Sequence, residues 1–238
     1  MISSDAIRQF ALKYQTTELN VRREYFQHLF LSYFYKQEGS EKVFFKGGTA
    51  LRLIYHSARF SEDLDFDSAL NSPAIEKIVI AAFADIEREG IATELDEAKE
   101  TSGGYLATAR FKAEDNIVPI KLEISSRTGH KKGEEAIISS DIFPNYTIMQ
   151  LSQALIVEGK IAALLARKKP RDFYDFYFLL RSNMIPVKGR ELLQSALDAL
   201  HATPIRFDHE LKGFLSQDHW PIIRNFKAAL EREIKRFL

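Results

Sequence analysis

Between Ser61 and Asp67 the chain reads SEDLDFD, and Leu64 and Phe66 alternate there with Asp63, Asp65 and Asp67. A period of two belongs to a β-strand, whose successive side chains point to opposite faces. Leu64 and Phe66 then pack into a sheet, while Asp63 and Asp65 project together from its other face. Like charges placed this way repel, so such a strand is either a solvated edge or lies beside something positive. Taken alone, an acidic strand is usually the former. A calcium loop is disfavoured, because Leu64 and Phe66 fill the intervening positions and no loop glycine follows where one is required.

The residues just upstream sharpen the choice. Lys42 to Phe45 is short and rich in valine and aromatics, which predicts a buried strand. Gly47-Gly48 breaks it, and Thr49 begins a helix carrying Leu51, Leu53, Ile54 and Tyr55. A helix start offers free N–H groups and the positive end of the helix dipole, where a triphosphate can rest. Gly47 and Gly48 let the backbone approach phosphates closely, and Thr49 adds a hydroxyl donor. Two carboxylates backed by an apolar layer suit a hard divalent cation such as magnesium, which leaves its other positions to water and substrate phosphate. A G-G-T turn alone is a weak signal, since most such turns are merely turns. The turn followed by the acidic strand, in this order and spacing, is far more specific.

Composition narrows the class. The chain has 238 residues, enough for one large domain or two small ones, and 33 basic residues cancel 33 acidic ones. Bulk charge therefore advertises neither a nucleic acid nor a membrane. With 0 cysteines there are no disulfides and no thiolate metal sites, which fits a reducing compartment. The first residues lack a basic lead with an apolar core, and apolar runs such as Ile78 to Ala84 fall far short of the ~20 residues that span a bilayer. The expectation is a cytoplasmic protein with no membrane partner. His28, His56, His130, His201, His209 and His219 show no zinc-ligand spacing.

Hydrophobic periodicity gives two opening helices, the second with Val21, Tyr25, Phe26, Leu29, Phe30 and Tyr33 facing a core. A helix over Ile75–Glu89 ends at Gly90. Strands follow at Ile91–Leu95, Tyr105–Phe111 and Ile117–Ser125, with turns at Gly103-Gly104 and Glu114-Asp115-Asn116. Arg127 to Glu135 reads as a basic loop, in which Arg127, His130, Lys131 and Lys132 can meet an RNA backbone. From about Thr147 the pattern is helical, with one helix over Ala154–Lys168 and Pro170 opening the next.

KGGTALRL followed by RFSEDLDF closely resembles the nucleotidyltransferase domain of the AbiEii/AbiGii toxin family, within the polymerase-β-like superfamily. Gly47, Gly48 and Thr49 match its glycine turn, and Asp63 and Asp65 its D-x-D strand. Arg59, Ser61 and Glu62 fall in the family's R-F-S-E-D lead-in. The resemblance implies an α+β fold: a mixed sheet flanked by helices over residues 1–147, then a C-terminal helical bundle over 148–238 that completes the active site. It also implies a third acidic metal ligand on a later strand. Glu123 in IVPIKLEISSR is the candidate, with a Lys121–Glu123 surface pair as the equal alternative.

In EGKIAALLARKKPRDFYDFYFLLR, residue chemistry alone favours structural roles, because acids in a first turn and bases in a last turn complement the helix dipole. The resemblance assigns more. Lys160 matches the family lysine and would neutralise substrate phosphate. Asp172 and Asp175 match the R-D-x-Y-D aspartates. Asp175 would accept a proton or orient Lys160, and Asp172 would serve at the nucleotide or pair with Arg167 or Arg171.

The implied activity transfers a nucleoside monophosphate from an NTP to an acceptor hydroxyl, with magnesium or manganese as cofactor. The 3′ end of tRNA is an acceptor that relatives use, and a neighbouring gene would encode an antitoxin. An inactive nucleotide-sensing or antitoxin-binding module on the same fold is the alternative.

Overall fold

The computed structural model describes residues 2–113, 116–126, 132–186, 191–204 and 206–238. Contacts divide the chain into two compact units, Met1–His56 with Phe60–Ser152, and Ser57–Arg59 with Gln153–Leu238.

The first unit opens with α1 (Ser4–Lys13) and α2 (Glu18–Phe34), each capped by a hydroxyl side chain, Ser3 and Thr17. Then come β1 (Val43–Lys46), α3 (Gly47–Leu53), β2 (Leu64–Ser68) and α4 (Ser72–Arg88). Five strands complete the unit: β3 (Thr93–Thr101), β4 (Gly104–Ala113), β5 (Asn116–Ser126), β6 (Gly133–Ile138) and β7 (Tyr146–Leu151). The strands form one mixed sheet in the order β3-β4-β5-β2-β1-β7-β6. Strand β2 sits at its centre, antiparallel to β1 and parallel to β5. The fold is therefore mixed α+β, as expected.

The alternation at Leu64–Phe66 does what its period predicts, since both side chains are fully buried. They join Phe45, Phe111, Ile120, Leu122 and Ile124 in a core covered by α2 and α4. Helix α2 supplies aromatics across the sheet: Phe26 stacks on Phe111 at 4.9 Å and Phe34 meets Phe66 at 5.5 Å. Nearly the whole of α2 is buried, including polar Arg23, Glu24, Gln27 and His28. Buried polar groups need partners, so these side chains point to what the helix holds in place. Glu24 pairs with Arg52, and Arg23 with Glu62 at 3.1 Å.

His28 is the clearest cost. Its Nδ1 lies 2.8 Å from the Tyr146 hydroxyl, and its ring stacks on Phe143. Burial, helped by the Arg52 charge, pushes the imidazole pKa down from 6.5 to about 3. The unfolded chain takes up this proton below 6.5 while the folded chain does not. Stability is therefore complete above that pH and falls as acid is added. The loss from this one group is about 2 kcal/mol by pH 5. Urea unfolding at about pH 7 and about pH 5 is expected to show that difference shrinking by about 2 kcal/mol in His28→Gln relative to the parent.

Three segments depart from the pattern reading. Residues from Thr147 to Leu151 form β7 rather than helix, and β7 lies parallel to β1 with Phe45 opposite Gln150. Strand β3 runs on to Thr101 through a bulge between Leu95 and Glu97. The expected loop to Glu135 gives way at Gly133 to β6, which pairs with β7. Arg127, His130 and Lys131 lie outside the described residues.

The second unit is helical: α5 (Gln153–Arg167), α6 (Pro170–Arg181), α7 (Leu193–Ala202), α8 (Phe207–Leu211), α9 (Trp220–Arg224) and α10 (Phe226–Lys235). Pro170 opens α6 as expected. Phe173, Phe207, Phe226 and Tyr174 gather in its core. Residues Ser57–Arg59 belong here, through a bridge from Arg59 to Leu215. Among the described residues no helix is long and apolar enough to cross a membrane.

Candidate active site

The register of the sheet decides where the acidic residues meet. Asp65 lies between Lys46 of β1 and Glu123 of β5 on neighbouring strands, and Asp63 immediately precedes β2. Asp63 and Asp65 are half-buried, and so is Glu123. Asp67, two residues further on the same face, is buried and takes the Lys46 ammonium at 2.5 Å. It is thus a structural acid.

Glu123 accepts a hydrogen bond from Lys121. That hydrogen bond raises the Lys121 pKa against the opposing effect of burial, with the charges of Glu123, Asp63 and Asp65 adding to it. One ammonium therefore feels all three carboxylates. Among the described residues no three His, Asp or Glu side chains are gathered into a metal cage. Two hard oxygen donors beside an approachable backbone still fit a magnesium ion that keeps water and phosphate as its other ligands.

The glycine turn touches this acid directly. Gly47 opens α3 with φ +88°, a left-handed conformation that glycine adopts without strain. A Cβ placed there would fall 2.0 Å from the Asp65 Oδ2 and 2.7 Å from its Cβ. The backbone of the turn is thus packed onto the Asp65 side chain, and only glycine allows it. Gly47→Ala is expected to cost about 1–2 kcal/mol in unfolding free energy from the strained backbone. Displacing the carboxylate is expected to cost about 10²-fold in initial turnover rate.

Thr49 has a partner within the protein. It is buried, and its hydroxyl donates to the Asp63 carbonyl oxygen at 2.5 Å. That single proton is thus engaged in tying the start of the helix to the residue that leads into the acidic strand.

The helical unit holds the other candidates. Asp175 is almost wholly buried and accepts from Arg59 Nε at 2.8 Å, Arg59 Nη2 at 3.0 Å and Lys160 Nζ at 2.6 Å. Burial alone would raise its pKa; the charges of Arg59 and then Lys160, with their hydrogen bonds, outweigh it and hold the carboxyl at about 2. So strong an acid is a poor proton acceptor near neutrality, and orienting Lys160 is the role its geometry suits. Of the two cations on this carboxylate, the Lys160 side chain, 13 % exposed, is the more accessible.

Asp172, by contrast, is engaged at its own helix end. Its carboxylate accepts from Arg167 at 2.6 Å and from the Lys169 N–H at 3.2 Å, which caps α6. This is the arrangement residue chemistry favoured. Arg59 was visible in the sequence only as part of the lead-in. Its partner lies 116 residues away, and no local signal could name it.

A mixed sheet with a glycine turn laid against an acidic central strand is the arrangement that the KGGT and DLD motifs led one to expect. The family model for the "Nucleotidyl transferase AbiEii toxin, Type IV TA system" matches residues 29–237, and the chain belongs to that family. Solved structures agree on the fold. The MenT4 nucleotidyltransferase toxin of Mycobacterium tuberculosis is 16% identical with a TM-score of 0.68, over 100% of this chain and 90% of that one. JHP933 from Helicobacter pylori is 19% identical with a TM-score of 0.66, over 93% of each chain. No curated protein matches in sequence.

Proposed function

We propose that this nucleotidyltransferase toxin moves a nucleoside monophosphate from an NTP to an acceptor hydroxyl, the 3′ end of tRNA being the acceptor, with magnesium or manganese held by Asp63 and Asp65. The observation that carries this reading is the packing of the Gly47 backbone on the Asp65 carboxylate. It brings acidic oxygens and phosphate-binding N–H groups to one place. Bound there, the divalent ion would offset charge at the α-phosphate and make the attacking hydroxyl more acidic.

The residues supply the rest. N–H groups of Gly48 and Thr49 hold the phosphates, and the helical unit's own contribution is Lys160, held by Asp175 and offered as a cation for phosphate. Fixed in this way, the triphosphate presents its α-phosphorus in line with the acceptor oxygen. A new O–P bond forms, the bond to the β-phosphate breaks, and pyrophosphate leaves. The hydroxyl proton passes to a carboxylate oxygen of the acidic face. Glu123, which accepts from Lys121, would be the third residue to hold the ion, directly or through water. The division into a nucleotidyltransferase domain and a C-terminal helical domain gives each set of residues its own scaffold. Membership of a type IV toxin family supports a cognate antitoxin from a neighbouring gene and a cytoplasmic site of action.

Purified chain incubated with magnesium, each α-labelled NTP in turn, and total tRNA tests this. Label is expected on intact tRNA. Shortened RNA would replace transfer with phosphodiester hydrolysis. NTP binding without turnover would make the chain a sensing or antitoxin-binding module.

A further inference from the structure

Asp63 and Asp65 are located by different means. Asp65 lies within β2 and is fixed by the ladder on both sides. Asp63 lies before the strand begins, in the irregular stretch Phe60–Asp63. Carbonyl groups in such a stretch have no ladder partner and must find another. Three successive ones do so through side chains of helices. Gln27 Nε2 donates to Ser61 O at 2.9 Å and to Glu62 O at 3.2 Å. Thr49 then takes the Asp63 carbonyl.

Gln27 is 2 % exposed and stands on α2 one residue after Phe26, whose ring is stacked on the sheet. Two carbonyl acceptors require the NH₂ end of the amide to face them, and both of its protons are used. A buried amide of this kind is costly unless its bonds are made. It is also attached to the most thoroughly packed helix of the unit. Gln27 lies outside the stretch the family model matches, and nothing in the KGGT or DLD motifs points to it.

We propose that Gln27 is a positioning residue for the reaction: its amide sets the path of the Ser61–Glu62 backbone and so fixes where the Asp63 carboxylate stands relative to Asp65. This rests on Asp63 and Asp65 being the metal ligands. Without the amide, Asp65 keeps its place while the Ser61–Glu62 backbone that leads into Asp63 loses its hold, so the mutual geometry of the pair loosens. A misplacement of about 1 Å at a reacting centre costs on the order of 10²-fold.

Gln27→Met keeps length and volume and removes both donors. In the full chain it is expected to lower the rate constant of nucleotidyl transfer about 10²-fold and to weaken manganese binding, followed by electron paramagnetic resonance. Tyr35→Phe is the control, because it removes a buried donor to the Val43 and Met149 carbonyls elsewhere on the sheet. It is expected to lower the melting temperature similarly and leave manganese binding as in the parent. Gln27→Glu supplies a second readout should the methionine variant not fold. Its carboxyl can donate only when protonated, so its activity relative to the parent is expected to recover from about pH 8 to about pH 6 as the buried acid gains its proton.

Parent-like transfer and manganese affinity in Gln27→Met would overturn the proposal, as would a loss that Tyr35→Phe reproduces or a Gln27→Glu profile that follows the parent. Asp63→Asn separates the two levels. If that variant binds manganese and transfers label like the parent, the ligand assignment itself fails, whatever Gln27 does.

Discussion

Asp65→Asn is expected to lower nucleotidyl transfer by about 10³-fold, the scale of losing a principal electrostatic group at a reacting centre. The amide keeps the volume of the acid, so its packing against the Gly47 backbone survives. What disappears is the charge that holds a cation. Asp67→Asn is the matched comparison, on the same strand and the same face two residues away. There the carboxylate is buried and holds the Lys46 ammonium. That variant is expected to be destabilised while transferring label at nearly the parent rate. Initial rates of α-label incorporation, with urea unfolding of both variants, check the contrast. Equal activity in Asp65→Asn and the parent would remove Asp65 from the chemistry.

Asp175→Asn is expected to have the largest effect on folding. It leaves the Arg59 guanidinium and the Lys160 ammonium without their shared counter-charge, and the Arg59 side chain is itself buried. Removing one partner of a buried ion pair costs about 3–5 kcal/mol, which should appear as early unfolding of the helical unit. The pH dependence carries a definite sign. The folded carboxyl is held at about 2, below the ordinary 3.8, so its contribution is complete above the ordinary value and fades only as pH falls toward 2. Between the ordinary histidine value of 6.5 and the ordinary carboxyl value of 3.8 the parent therefore keeps this stabilisation while it loses that from His28. A hydrogen-exchange measurement on Asp175→Asn should show protection lost first in α5 and α6. Unchanged protection there would contradict the buried triad.

Much of this could be read from the residues because the acidic strand and the glycine turn are local patterns. Leu64 and Phe66 had to face a core, and a period of two put Asp65 on the opposite face. The glycine pair marked a break whose φ only glycine holds without strain. Strand β7 was misread for an equally physical reason. YTIMQL runs straight into the apolar face of α5, and its pairing with β1 joins residues about a hundred apart, with no turn to announce it. The roles of Gln27, Arg59 and Thr49 were hidden because each depends on which distant carbonyl or carboxylate the fold brings near. A glutamine directly after Phe26 on a core-facing helix was the one available signal, and it named no partner. Asp172 and Asp175 look alike in sequence three residues apart, yet one caps its helix and the other binds two cations.

Crystals of the full chain grown with manganese and an NTP analogue that cannot be cleaved between its α- and β-phosphates test the central assignment most directly. Anomalous scattering is expected to place the ion on oxygens of both Asp63 and Asp65, with phosphates on the Gly48–Thr49 backbone and on Lys160. An ion bound elsewhere, or a nucleotide seated without touching either carboxylate, would contradict it.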